Sequence, residues 1–233
     1  MSYLSDLFFP PLCEICKSIL TENENAVCLD CLSSLPFNDP VDVRDSLMDT
    51  FSDAGGRIVY AAALFHYGKE GGVRKLIHSL KYRANKDLAH HAGRLAASML
   101  EKQMTGIIDP IDLMIPVPLH PQKRRQRGYN QSELICRGAA SILNIPVHTA
   151  VLRRRLYTRK QAGRNMDGRV SNVDKAFELY APNILRHGQH VLLVDDVITT
   201  GATIRACIEP LITVPGIRIS ILSLACTQIV SYY

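Results

Sequence analysis

The sequence predicts an α/β protein: a mainly parallel sheet flanked by helices, with a small N-terminal metal-binding module. Three observations predict it. Short β-branched runs alternate with segments of helical apolar spacing. One run, Val191 to Val194, ends in Asp195-Asp196 and a hydroxyl-rich turn, at the strand end where open α/β sheets bind ligands. Two Cys-x2-Cys pairs stand near the front, Cys13/Cys16 and Cys28/Cys31, separated by eleven residues.

Size and composition set the frame. A chain of 233 residues is enough for one sizeable domain and a small appendage. Hydrophobic content of 47% with 21% charged residues is that of an ordinary globular protein. No apolar run approaches the length of a membrane span, and no basic region precedes an apolar core at the start. A cytoplasmic setting is therefore expected, with the cysteines reduced or metal-bound. The net charge of +5 is modest, but Lys123, Arg124, Arg125 and Arg127 form one basic cluster and Arg153, Arg154, Arg155, Arg159 and Lys160 another. Each suits an anionic small molecule or a nucleic-acid backbone, or is simply a solvated face.

The elements follow in order. Residues 1–36 form a cysteine module too short to bury its own core; its four thiolates at this spacing fit a structural zinc ion, with disulfides the alternative. A polar, acidic linker is expected over 37–56, and a domain of 57–233 after it. Ile58–Tyr67 is a strand. Val73, Leu76, Ile77 and Leu80 recur at i, i+3, i+4, i+7 and make a helix ending near Lys81-Tyr82; Leu88, Ala92, Leu95, Ala96 and Met99 mark a second. Leu113–Val117 is a short buried strand, and Leu134, Ile135, Ala139 and Ile142 lie on a helix. Val191 opens the next strand. Ile204, Ile208 and Leu211 define a helix that Pro210 ends or kinks, and Ile217–Ala225 is the last strand. Cys136, Cys207 and Cys226 sit in apolar surroundings and are expected in the core.

Three segments carry chemistry. After Asp196, the turn Thr199-Thr200-Gly201-Ala202-Thr203 leads into a helix N-terminus, where free N–H groups and the helix dipole favour a phosphate. The carboxylates of Asp195 and Asp196 would repel that phosphate but suit a sugar diol, or Mg²⁺ held through water. Arg124, Arg125 and Arg127, in a loop after Pro116-Val117-Pro118-Leu119-His120-Pro121, are placed to clamp a diphosphate, unless the loop is only basic surface. Residues 153–172 are long, polar and poor in apolar residues, as a lid over a reactive sugar phosphate would be.

The Asp195–Thr203 segment resembles the 5-phosphoribosyl 1-diphosphate (PRPP) motif of type I phosphoribosyltransferases. Taken with the cysteine pairs, Leu80-Lys81-Tyr82, the Pro116–Pro121 run with Arg127-Gly128-Tyr129-Asn130-Gln131, and Thr158, Gln161, Arg169 and Asn172, the order of motifs resembles the competence protein F (ComF) family. Arg164 departs from that family, which more often has an apolar residue there. The resemblance implies a type I phosphoribosyltransferase-like fold and a link to uptake of transforming DNA. It implies that Asp195 and Asp196 hold the ribose and take the catalytic position, that Thr199, Thr200, Gly201, Ala202 and Thr203 hold the 5′-phosphate, and that Thr158, Gln161, Arg169 and Asn172 belong to the lid. A Mg²⁺-dependent transfer of the phosphoribosyl group with release of diphosphate is the expected reaction, its acceptor unspecified. The alternatives are a PRPP-sensing regulator and a non-catalytic competence factor binding single-stranded DNA. Competence-machinery proteins would be partners in either setting.

Overall fold

The computed structural model describes residues 10–82, 85–104, 110–155 and 176–227. Its centre is a four-stranded parallel sheet of β1 (Ile58–His66), β2 (Leu113–Pro116), β5 (His190–Ile198) and β6 (Arg218–Cys226), in the order β1-β6-β5-β2. The register runs Leu113 against Val191, Val191 against Ile219, and Ala61 against Ile221. A separate antiparallel pair joins β3 (Leu152–Arg154) to β4 (Phe177–Leu179).

Both faces of the sheet are covered, which is why its strands read as continuous apolar runs. Side-chain alternation divides the core in two. Ala62, Leu64, Leu192, Val194 and Leu222 face one layer, built from α3 (Gly72–Tyr82), α4 (Lys86–Met104) and α6 (Gln131–Leu143). Ala61, Ala63, Val191, Leu193 and Ile221 face the other, built from α2 (Pro40–Thr50) and α7 (Ala202–Leu211). Two shorter α-helices are α1 (Leu29–Ser33) and α5 (Pro121–Arg127).

Three expectations need correction. The polar linker contains a helix: Asp39 caps α2, Pro40 takes its first position, and Val43, Leu47 and Phe51 are buried on the sheet. Polar residues dominate its count because only one stripe of the helix faces inward. The arginine loop is instead helix α5, started by His120 and Pro121 and stopped by Gly128 at φ +79°. Arg153 and Arg154, expected in the polar segment, belong to β3. Pro210 ends its helix as expected, one residue before α7 stops. Cys136, Cys207 and Cys226 are buried in the core.

The cysteine module is fused to the domain. Cys13, Leu20, Val27, Cys28 and Leu35 share one core with Leu76 and Leu88 of α3 and α4. Helices α4 and α6 meet at glycines: a Cβ on Gly93 would collide with the Ile135 carbonyl, and one on Gly138 with the His90 carbonyl. Among the described residues no helix is long and apolar enough to cross a membrane.

Candidate functional site

Strand β5 delivers the acid pair. Asp195 and Asp196 lie inside the strand near its carboxyl end, each 8% exposed. Asp195 Oδ1 accepts hydrogen bonds from Ser132 Oγ at 3.1 Å and from the Asp196 N–H at 2.9 Å. Lys81 Nζ, from the last turn of α3, lies 2.9 Å from Asp196 Oδ2. Burial first, and then the Asp196 charge, push the Asp195 carboxyl up to about 7. Close, shielded carboxylates resist ionising together.

The turn after the pair has the expected form. Thr199, Thr200, Ala202 and Thr203 are exposed, and Gly201 between them is buried at φ +76°. A Cβ on Gly201 would stand 3.0 Å from the Phe51 ring and 3.1 Å from Thr50 Cγ2, so α2 braces the turn from below. The N-cap Gly201 has no side chain to cap α7, and Thr200 Oγ1 accepts only a long bond from the Ala202 N–H, at 3.4 Å, an arrangement that suits an outside acceptor at this N-terminus.

The first turn of α6 is tied into the same place. Asn130 caps the helix by accepting from the Ser132 N–H, and its Nδ2 donates to the Val117 carbonyl beyond β2 at 3.0 Å. That double anchor aims Ser132 at Asp195. Neither Ser132 nor Asn130 carries a sequence signal for this role beyond the helix cap itself, and Lys81 reaches the site only through the packing of α3.

The three arginines are not brought together. Arg124 and Arg125 line a cleft of about 730 Å³ with Glu133, Arg153, Arg154 and Tyr180. Arg124 pairs with Glu133 at 3.5 Å. Arg127 turns away to lie over the exposed Tyr82 ring, 5.2 Å from its centre, and donates to Gln131 Oε1 at 3.1 Å. Arg153 and Arg155 both pair with Glu178, which neutralises part of the second basic cluster. Thr158, Gln161, Arg169 and Asn172, with Arg159, Lys160 and Arg164, lie outside the described residues.

The second cluster is the cysteine set. The sulfurs of Cys13, Cys16, Cys28 and Cys31 all lie within 4.8 Å of one another, with Cys16 and Cys28 3.7 Å apart. Tetrahedral Zn–S bonds of about 2.3 Å place sulfurs roughly 3.8 Å apart, so the donor set fits zinc. Backbone N–H groups of Ile15 and Cys28 donate to Cys13 Sγ, both at 3.4 Å, as suits a thiolate. Hydrogen bonding with Ser18 draws Cys16 down to about 6, while burial and the neighbouring thiols push Cys31 up to about 12. Four protein donors are compatible with a structural zinc site, in which every position is taken by the chain.

Sheet, acid pair and glycine turn define the class: an open parallel α/β protein with a candidate site at the carboxyl ends of its strands, where such sheets bind ligands. The relatives are competence and DNA-utilisation proteins. The chain is 32% identical over 131 residues to "DNA utilization protein YhgH" of Salmonella typhimurium, covering 55% of this chain and 56% of the relative. It is 37% identical over 93 residues to "Competence protein F" of Haemophilus influenzae, covering 40% and 41%. To "Competence protein ComFC" of Bacillus subtilis it is 30% identical over 92 residues, covering 40% and 35%. The chain thus spans about half the length of the curated relatives it matches, and their names agree with the family its motifs resemble. No protein-family model matches the chain. Similar solved structures include an adenine phosphoribosyltransferase from Saccharomyces cerevisiae (18% identity, TM-score 0.34, covering 65% and 68%) and a glutamine PRPP amidotransferase from B. subtilis (20%, 0.39, covering 62% and 30%). At that overlap no residue role passes from them to this chain.

Proposed function

We propose that the chain binds PRPP and transfers its phosphoribosyl group to a nitrogen acceptor, releasing diphosphate. The observation that carries this reading is the buried acid pair of β5 followed, one short turn later, by a left-handed glycine at the N-terminus of α7. An acid pair suits a ribose diol, and the turn suits the 5′-phosphate. The cleft with Arg124 and Arg125 is a candidate for the diphosphate. In the reaction the acceptor's lone pair forms a bond to C1 while the C1–O bond breaks, and diphosphate leaves with the electron pair. Positioning and charge stabilisation would supply the catalysis. Mg²⁺ binds through one or two carboxylates plus phosphate oxygens, so Asp195 and Asp196 fit it together with the ligand's own phosphates. Zinc, held by the four cysteines, would supply folding energy alone.

The test is to incubate the protein with PRPP, Mg²⁺ and a panel of nitrogen heterocycles and amines while following diphosphate. Acceptor-dependent release supports transfer. Binding without release with any acceptor reduces the chain to a PRPP-responsive protein.

A second reading has support from a cleft of about 760 Å³ in which Lys17, Lys69, Arg74 and Lys75 outnumber Glu14 and Glu70, and from the DNA-related names of the relatives. In it, single-stranded DNA is the ligand and phosphate contacts dominate, so affinity falls steeply with salt. Affinity indifferent to salt and to loss of Arg74 and Lys75 counts against it.

A further inference from the structure

The acid pair carries a counter-ion that ribose and 5′-phosphate binding leave unused. Lys81 Nζ stands 2.9 Å from Asp196 Oδ2, yet that oxygen receives no well-directed hydrogen bond, so the attraction is Coulombic. The two side chains are only 23% and 12% exposed. The position is built, because the buried Tyr129 hydroxyl donates to the Leu80 carbonyl and fixes the turn that presents Lys81. A second donor waits nearby. Gln131 is 2% exposed; its Oε1 is taken by Arg127, but its Nε2 has no partner. It precedes Ser132, which holds Asp195. A buried amide donor left without an acceptor is costly, and such a group in a native structure calls for a ligand or water.

Charge makes the same demand. Asp195 and Asp196 add negative charge to a site whose ligand is a polyanion. Arg124 is drawn towards Glu133, and Arg127 towards Tyr82 and Gln131. A lysine on a flexible stem with three N–H donors can change partner without moving its helix.

We propose that Lys81 is a diphosphate-binding residue of this site: on PRPP binding its ammonium passes from Asp196 to an anionic oxygen of the 1-diphosphate, freeing Asp196 for the ribose hydroxyls. Gln131 Nε2 then donates to the same ligand. The inference rests on the proposed function and deepens it.

The experiment compares two ligands by calorimetric titration, PRPP with Mg²⁺ and ribose 5-phosphate, which lacks the diphosphate. Lys81→Met is expected to lose at least about tenfold in PRPP affinity, roughly 1.4 kcal/mol, while ribose 5-phosphate changes less than about threefold. Lys81→Arg keeps most PRPP affinity. Equal losses for both ligands, or none for either, overturn the proposal, because a mere counter-ion of Asp196 has no reason to tell the ligands apart. In wild-type protein, the ¹⁵Nζ resonance absent from Lys81→Arg shifts with PRPP and stays put with ribose 5-phosphate; equal shifts overturn the proposal even if Lys81→Met does not fold. Wild type that binds neither ligand refutes the functional reading itself, whereas wild-type binding that Lys81→Met leaves intact refutes only the role of Lys81.

Discussion

Ser132 Oγ donates to Asp195 Oδ1 at 3.1 Å, which fastens the first turn of α6 to the end of β5. Two elements far apart in sequence thereby share one ionisable group.

That group sets a pH dependence. The folded Asp195 carboxyl is raised to about 7, mainly by burial and then by Asp196, above the ordinary value of about 3.9 for an unfolded chain. Between those values the folded protein binds more protons than the unfolded chain, so this group's contribution is full below about pH 4 and lost as pH rises to about 7. Melting temperatures at pH 5.5, 7.0 and 8.5 should fall across the first interval more in wild type than in Asp195→Asn. Parallel profiles would mean that Asp195 titrates normally.

The glycine turn predicts a backbone effect. Gly201→Ala places a side chain at φ +76° and against Phe51, which costs roughly 1–2 kcal/mol for the left-handed conformation alone. Chemical denaturation should show a lower midpoint with an unchanged slope. Wild-type stability in the variant would contradict the φ assignment.

Crossing helices give a stronger case. Gly93→Ala and Gly138→Ala each drive a methyl group into a backbone carbonyl of the facing helix, and a backbone cannot yield as a side-chain tip can. Either variant should lose about 3 kcal/mol, the upper end for overpacking, read as a loss of soluble protein or a large drop in the denaturation midpoint.

Metal removal tests the cysteine set. Purified protein should contain about one zinc per chain. Because Cys13 and Cys28 share a core with Leu76 and Leu88, chelation should loosen the α3–α4 layer as well as the module. A loss of only about 3 kcal/mol would lower the melting temperature by roughly 6–12 °C for a chain of this size. A metal-free protein melting at the same temperature would refute a structural zinc.

Much of the sheet was legible because its strands are buried on both faces, and continuous runs such as Val191–Val194 then need no register information. The apolar stripe Val73, Leu76, Ile77, Leu80 marked α3 for the same reason. Helix α2 is hidden in the sequence although Asp39-Pro40 is a start signal, because its buried residues Val43 and Leu47 are few among charged neighbours. Helix α5 was missed because it buries nothing, and periodicity reports only burial. Within the site, Asp195, Asp196 and the Thr199–Thr203 turn are contiguous and so visible in sequence. Lys81 and Gln131 stand in runs that carry the family resemblance and Ser132 does not, and all three come to the acid pair through tertiary packing. Spacing groups Arg127 with Arg124 and Arg125, and i, i+3 geometry keeps it on the face of Arg124, but its side chain is drawn to Tyr82 and Gln131 instead.

The central claim is that the acid pair of β5 holds the sugar of PRPP. Calorimetric titration of the full chain with PRPP and Mg²⁺, on wild type and on Asp195→Asn/Asp196→Asn, tests it most directly. The account predicts saturable binding to wild type and a loss of at least about tenfold in the double variant, as expected for removing charged hydrogen-bond acceptors. No heat with wild type, or equal affinity in both proteins, would contradict it.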